Sequence, residues 1–179
     1  MKVSGTGRQR QLFIAESASL IIMEAALCEA CLLGDLESIK YLIDECGVDP
    51  KSCQDEDGDT PLHYAARKGE LSVLRYLIKE KQCDPMCGGK DGWTVLHVAA
   101  FLGDLQVVQY LIDECGVDLM SCQDEDGDTP LYYAAQNGQL SVLRYLIKRS
   151  SVIQCVEIRV VGQFYTWLPF MVNFKLCSI

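Results

Sequence analysis

The chain is short of the residues that most catalytic and metal sites depend on. It holds two histidines, His63 and His97, and no serine or cysteine joins either of them with a third member to make a nucleophilic set. Its one glycine pair, Gly88-Gly89, precedes a turn and does not open a helix as a phosphate-cradling loop must. No Asn-x-Ser/Thr acceptor occurs, and no apolar run reaches the roughly 20 residues of a membrane span. Positive charge is scarce: 16 Lys and Arg stand against 25 Asp and Glu, a net charge of −9. Such a surface repels nucleic-acid phosphates and anionic lipid, so neither is expected as a partner. A basic peptide or a basic protein face suits it better. With nothing to perform chemistry, no catalytic residue, metal or cofactor is expected.

Cysteine, in contrast, is abundant, with ten in 179 residues. A secreted disulfide scaffold is one reading of that number. Three features oppose it. Glycosylation acceptors are missing, and the cysteines sit inside a helical repeat with a core of its own. The amino-terminal segment is also a poor signal peptide, because Glu16 and Ser17 interrupt the apolar stretch from Leu12 to Met23. The thiols are therefore read as reduced, the compartment as cytoplasmic or nuclear, and the chain as a monomer. Cys28-x-x-Cys31 is a lone pair, whereas a zinc site needs four ligands. Cys31 aligns with Ala66 and Cys83 with Val48 and Val117, which are core positions. Asp55-x-Asp57-Gly58-Asp59 lacks the glycine and glutamate that a calcium loop requires at its sixth and twelfth positions, and reads as an acidic hairpin tip.

A repeat decides the fold. Residues 41–79 and 110–148 are identical at 33 of 39 positions, differing only at 50, 51, 63, 67, 68 and 70, which points to an internal duplication. The unit is half that offset. Gly34, Gly69, Gly103 and Gly138 are spaced by 35, 34 and 35 residues, and Tyr-Leu-Ile follows each of them at 41–43, 76–78, 110–112 and 145–147. Each unit reads as two short helices. Thr60 caps the first, Pro61 suits its opening position, and Leu62, Ala65 and Ala66 make a narrow apolar face. Gly69 ends it. Leu71, Leu74, Leu77 and Ile78 then form one stripe of the second helix. A helix pair this short cannot bury its own apolar face, so it must stack on copies of itself.

Thr60-Pro61-Leu62-His63-Tyr64-Ala65-Ala66 is similar to the TPLHxAA signature of ankyrin repeats. Thr94-Val95-Leu96-His97-Val98-Ala99-Ala100 and Thr129-Pro130-Leu131-Tyr132-Tyr133-Ala134-Ala135 are variants, and Asp57-Gly58, Asp91-Gly92 and Asp126-Gly127 match the turn before each. The resemblance covers about 24–148. It implies an all-α solenoid of helix-turn-helix units with β-turn or hairpin tips. The units fall at about 24–56, 57–90, 91–125 and 126–148, after a partly helical amino-terminal extension over 1–23. Residues 1–10 are expected to be mobile, and one long helix is expected over 11–33. Repeats of 34 or 35 residues exceed the family's usual ~33, and the excess falls in loops. Ala25-Ala26-Leu27-Cys28 replaces the signature in the first unit, which resembles a cap. Tyr132 replaces the signature histidine, whose imidazole the resemblance gives the task of tying turn to helix, so the fourth unit is expected to be the least stable. Residues 149–179 form an apolar, β-prone tail outside the repeat, read as non-native coding sequence or an aggregation-prone end in preference to a hydrophobic lid.

The resemblance also implies a binding surface: a concave groove lined by the turn tips and the ends of the first helices. The tip residues are Asp57 and Asp59, Lys90 and Trp93, and Asp126 and Asp128. The helix-end residues are Arg67 and Lys68, Phe101 and Leu102, and Gln136 and Asn137. Trp93, Phe101 and Leu102 break the repeat symmetry with an apolar centre, and the acidic tips form its rim. The function expected is a scaffold that binds another protein through a basic or mixed basic-apolar segment. A fragment of a longer array, or a thiol-based metal-binding protein, are the competing readings.

Overall fold

The computed structural model describes residues 5–149, with side chains from Ser19 onward except that of Lys90. The apolar tail therefore lies outside the described residues, apart from Arg149. The inner helices are α1 (Gly5–Leu33), α3 (Pro61–Lys68), α5 (Val95–Leu102) and α7 (Pro130–Gln136). The outer helices are α2 (Leu36–Lys40), α4 (Leu71–Arg75), α6 (Leu105–Gln109) and α8 (Leu140–Arg149). Inner packs on inner along the chain, α1 on α3, α3 on α5 and α5 on α7, and the result is a single-file solenoid. No strand forms among the described residues. The tips are turns, with one isolated bridge between Gly88 and Thr94. The helix expected over 11–33 is present but begins earlier, at Gly5, inside the segment that the sequence suggested would be mobile.

The core is the two apolar stripes read from the sequence. Leu62, Ala65, Ala66, Leu74 and Leu77 in the second unit, and Leu96, Ala99, Ala100, Val108 and Leu111 in the third, are at most 1% exposed. Alanine at the inner-helix contacts lets backbones approach closely. Gly69 and Gly103 end α3 and α5 at φ of 75° and 81°, the left-handed region where a side chain is strained. A Cβ on Gly69 would also collide with the Asp104 carboxylate. The first three outer helices finish in a wide π turn, Tyr41–Glu45, Tyr76–Glu80 and Tyr110–Glu114, which the periodicity did not reveal.

The two middle inner helices, α3 and α5, are each fastened to the next unit at their start. The Thr60 amide donates to His63 Nδ1 at 3.1 Å, and His63 Nε2 lies 2.9 Å from the Trp93 carbonyl in the following turn. Thr94, His97 and the Asp128 carbonyl repeat the arrangement, at 3.1 and 3.2 Å. Tyr132 stands in this place in the fourth unit, where Thr129 Oγ1 accepts from the Tyr132 amide at 3.4 Å.

Candidate functional site

The inner helices end side by side, and their last two residues make a row across the array. Leu32 and Leu33, Arg67 and Lys68, Phe101 and Leu102, and Gln136 and Asn137 are all exposed. The row exists because each pair follows an Ala-Ala or Ala-Cys step that faces the core and precedes a glycine that turns the chain away. Phe101 is 38% exposed and Leu102 45%, while Leu33 reaches 66%. A shallow cleft of about 470 Å³ lies beside Leu102, between Arg67-Lys68-Gly69 and Gly103-Asp104.

Trp93 occupies the centre, half-buried. Its ring lies 5.7 Å from that of Phe101 and 4.6 Å from that of Tyr133, edge-on to the latter, and it stacks on His97 at 6.2 Å. Its Nε1–H donates to Tyr133 Oη at 3.1 Å, and the Tyr133 hydroxyl donates to Asp124 at 2.6 Å. Trp93 thus supports Phe101 from below and joins the third unit to the fourth.

The acidic rim is less uniform than the sequence suggested. Asp57 and Asp126 are exposed at the tips, and Asp128 is half-buried. Burial, followed by the neighbouring Asp124 and Asp126, raises the Asp128 carboxyl above the usual range. Asp59, expected on the rim as a steering charge, is instead 7% exposed and ion-paired with Arg67, whose guanidinium also lies 5.3 Å from the Tyr64 ring centre. The two opposite charges meet because about two turns of helix bring Arg67, eight residues on, back over the tip, so Asp59 and Arg67 neutralise each other. Lys68 remains exposed, and Asn137 donates to the Tyr133 carbonyl at 3.0 Å. The Lys90 side chain lies outside the described residues.

Sequence reasoning missed two organisers of the tips. Asp55 accepts from the amides of Asp57 and Asp59, at 2.9 and 2.8 Å, and from the Tyr64 hydroxyl at 2.5 Å. Asp124 does the same with Asp126, Asp128 and Tyr133, at 3.1, 2.8 and 2.6 Å. Against the cost of burial, the bonds from Tyr64 and the two amides hold the Asp55 carboxyl below the usual range. The third unit has Gly89 and Val98 at these two positions. That joint loss was visible in the sequence as a signal for the pair.

Among the described residues the thiols do not assemble a chemical site. Cys28 and Cys83 are pushed up to about 11 and Cys53 to about 12, in each case by burial first, and burial raises Cys31 as well. A protonated, buried thiol is neither a good nucleophile nor a good ligand. Among the described residues no three of His, Cys, Asp and Glu converge as a metal would need.

The family model described as ankyrin repeats (3 copies) matches residues 27–121 and 82–159. The chain belongs to the ankyrin-repeat family. Among curated proteins it is 45% identical over 62 residues to the 26S proteasome non-ATPase regulatory subunit 10 of Dictyostelium discoideum, covering 35% of this chain and 26% of that one. It is 48% identical over 54 residues to protein phosphatase 1 regulatory subunit 27 of Mus musculus and of Homo sapiens, covering 30% of this chain and 34% of those. The chain thus spans between a quarter and about a third of the length of these relatives. No described helix is long and apolar enough to cross a membrane.

Proposed function

We propose that this ankyrin-repeat chain is a non-catalytic scaffold that binds another protein in its inner-helix groove. The exposed row of helix-end residues carries the reading, because its apolar members have no part in the core. Phe101 and Leu102 are the anchors, supported by Trp93, and they receive an apolar side chain of the partner. Exposed Asp57 and Asp126 flank them and favour a segment that also carries Lys or Arg. An apolar centre with a polar rim is the arrangement in which binding energy concentrates. The relatives named as regulatory subunits support a protein-interaction role, although the similarity covers only part of each. A reducing compartment, cytosol or nucleus, accompanies this reading, and the eight cysteines among the described residues are all free thiols.

The test is selection of a displayed random-peptide library on the full chain. Peptides that combine a large apolar residue with neighbouring Lys or Arg should be enriched. Phe101→Ser/Leu102→Ser should weaken them on the order of tenfold or more, with the circular dichroism spectrum unchanged. Peptides that bind the folded double variant as tightly as wild type would sink the assignment.

A further inference from the structure

The duplication has left the two ends of the array as copies of the two sides of one interface inside it. Where the second unit meets the third, Arg75 donates to both carboxylate oxygens of Glu114, at 2.9 and 2.5 Å, and its guanidinium lies 4.7 Å from the Tyr110 ring centre. Lys79 approaches the same ring at 6.0 Å and donates to the Glu114 carbonyl at 3.4 Å. Tyr110 is only 2% exposed as a result. At the offset of the duplication, Arg75 and Lys79 become Arg144 and Lys148 in the fourth unit. Tyr110 and Glu114 become Tyr41 and Glu45 in the first.

These copies are open to solvent. Tyr41 is 62% exposed, and Glu45, Arg144 and Lys148 are exposed as well. None of the three charged copies forms an ion pair among the described residues. The apolar surroundings agree. Leu140 is 46% exposed and Ile147 45%, whereas their counterparts Leu71 and Ile78 are half-buried against the core. One end therefore presents cations beside an exposed leucine and isoleucine, and the other presents an exposed tyrosine beside a carboxylate.

We propose that the chain associates head to tail, the fourth unit of one copy packing on the first unit of the next as the second unit packs on the third. Arg144 forks onto the partner's Glu45 and covers the partner's Tyr41. Such a contact is heterologous, so both ends of every copy are used and short chains of molecules form. The copy is imperfect. Val98 and Val107 on the receiving face correspond to Glu29 and Ser38 in the first unit, which removes apolar area. The association is accordingly weak and reversible. Sequence reading alone led to a monomer, and the copied interface argues for association instead. This inference does not depend on what the groove binds.

Sedimentation velocity on the full chain over a hundredfold range of concentration tests it. The weight-average mass should rise with concentration to at least twice that of the monomer. Arg144→Glu and Glu45→Arg should each return the chain to the monomer mass, with circular dichroism showing both folded. An equimolar mixture of the two variants should associate again, because every contact between unlike molecules regains an opposite-charge pair. A wild type that stays monomeric throughout would overturn the proposal. So would association that survives in both single variants, or a mixture that stays monomeric.

Discussion

His63 and His97 are bridges that function only in the neutral form. A backbone amide can only donate, so the Thr60 N–H requires His63 Nδ1 to accept, and the ring proton sits on Nε2 and goes to the Trp93 carbonyl. Protonating Nδ1 would break the bond to Thr60 inside a site that is 0% exposed. Burial accordingly lowers both histidines below their ordinary value of 6.5. The sign of the pH dependence follows. Below 6.5 the unfolded chain takes up protons that the folded chain refuses. Stability therefore falls as pH drops from 6.5 toward the lowered folded values, and levels off beneath them. The limiting slope is about 1.4 kcal/mol per pH unit for each histidine. The urea midpoint should be lower at about pH 5.5 than at about pH 7.5, before carboxylates such as Asp44 and Asp55 begin to protonate. An unchanged midpoint would mean that the imidazoles accept a proton without losing the bridge. The local half of each bridge was legible, since Thr and His stand at a fixed spacing in the signature. Its other half, a carbonyl 30 or 31 residues on, was not, because backbone acceptors leave no mark in a sequence.

At the level of elements, the turns and inner helices are held by carboxylate–tyrosine pairs nine residues apart, and the two copies differ in one useful way. Tyr64 donates to Asp55 alone, whereas Tyr133 donates to Asp124 and also accepts from the Trp93 indole. Tyr64→Phe removes one bond to a charged acceptor, worth about 1.5–3 kcal/mol. Tyr133→Phe removes the equivalent bond and leaves a half-buried indole N–H without its acceptor, a further cost of about 1 kcal/mol. Urea unfolding of the two variants should therefore rank Tyr133→Phe as the more destabilised. Equal losses would show that Trp93 draws nothing from Tyr133. The helices themselves could be read in advance, because Thr-Pro starts, Gly stops and leucine spacing are local signals. Trp93 could not be assigned in full, because a break in symmetry marks a position without saying what the ring there packs on. The structure gives its N–H to a residue 40 positions away while Phe101 keeps the exposed edge. The burial of Asp59 was not legible for a similar reason, since its partner Arg67 lies about two helix turns beyond the tip, at the groove end of α3.

The whole molecule is a line of units, each stabilised by its neighbours, so its stability is a profile along the chain and not a single number. Repeat length, handover from unit to unit and the burial of both stripes were all present in the sequence, because a solenoid uses the same contacts again and again. The profile follows from where the repeats differ. The third unit is gripped on both sides: by Arg75 and His63 from the second, and by Tyr133 and Gln139 toward the fourth, the last donating to the Phe101 carbonyl at 3.0 Å. The fourth unit lacks the imidazole bridge, with Tyr132 in its place, although its inner helix keeps the left-handed glycine stop, Gly138 at φ of 67°. Ala135 and Leu143 there are half-buried, while their counterparts Ala66 and Leu74 are 0% exposed. Fewer buried contacts mean a smaller free energy of local opening. Native-state hydrogen exchange at a concentration low enough to leave single copies should find the amides of α7 and α8 opening first, and those of α5 and α6 opening only with global unfolding. Exchange that is uniform from α3 to α8 would mean that the tie through Trp93, Tyr133 and Asp124 is strong enough to make the last unit part of the same cooperative block, and the loss of the histidine at position 132 would then have cost the array nothing measurable.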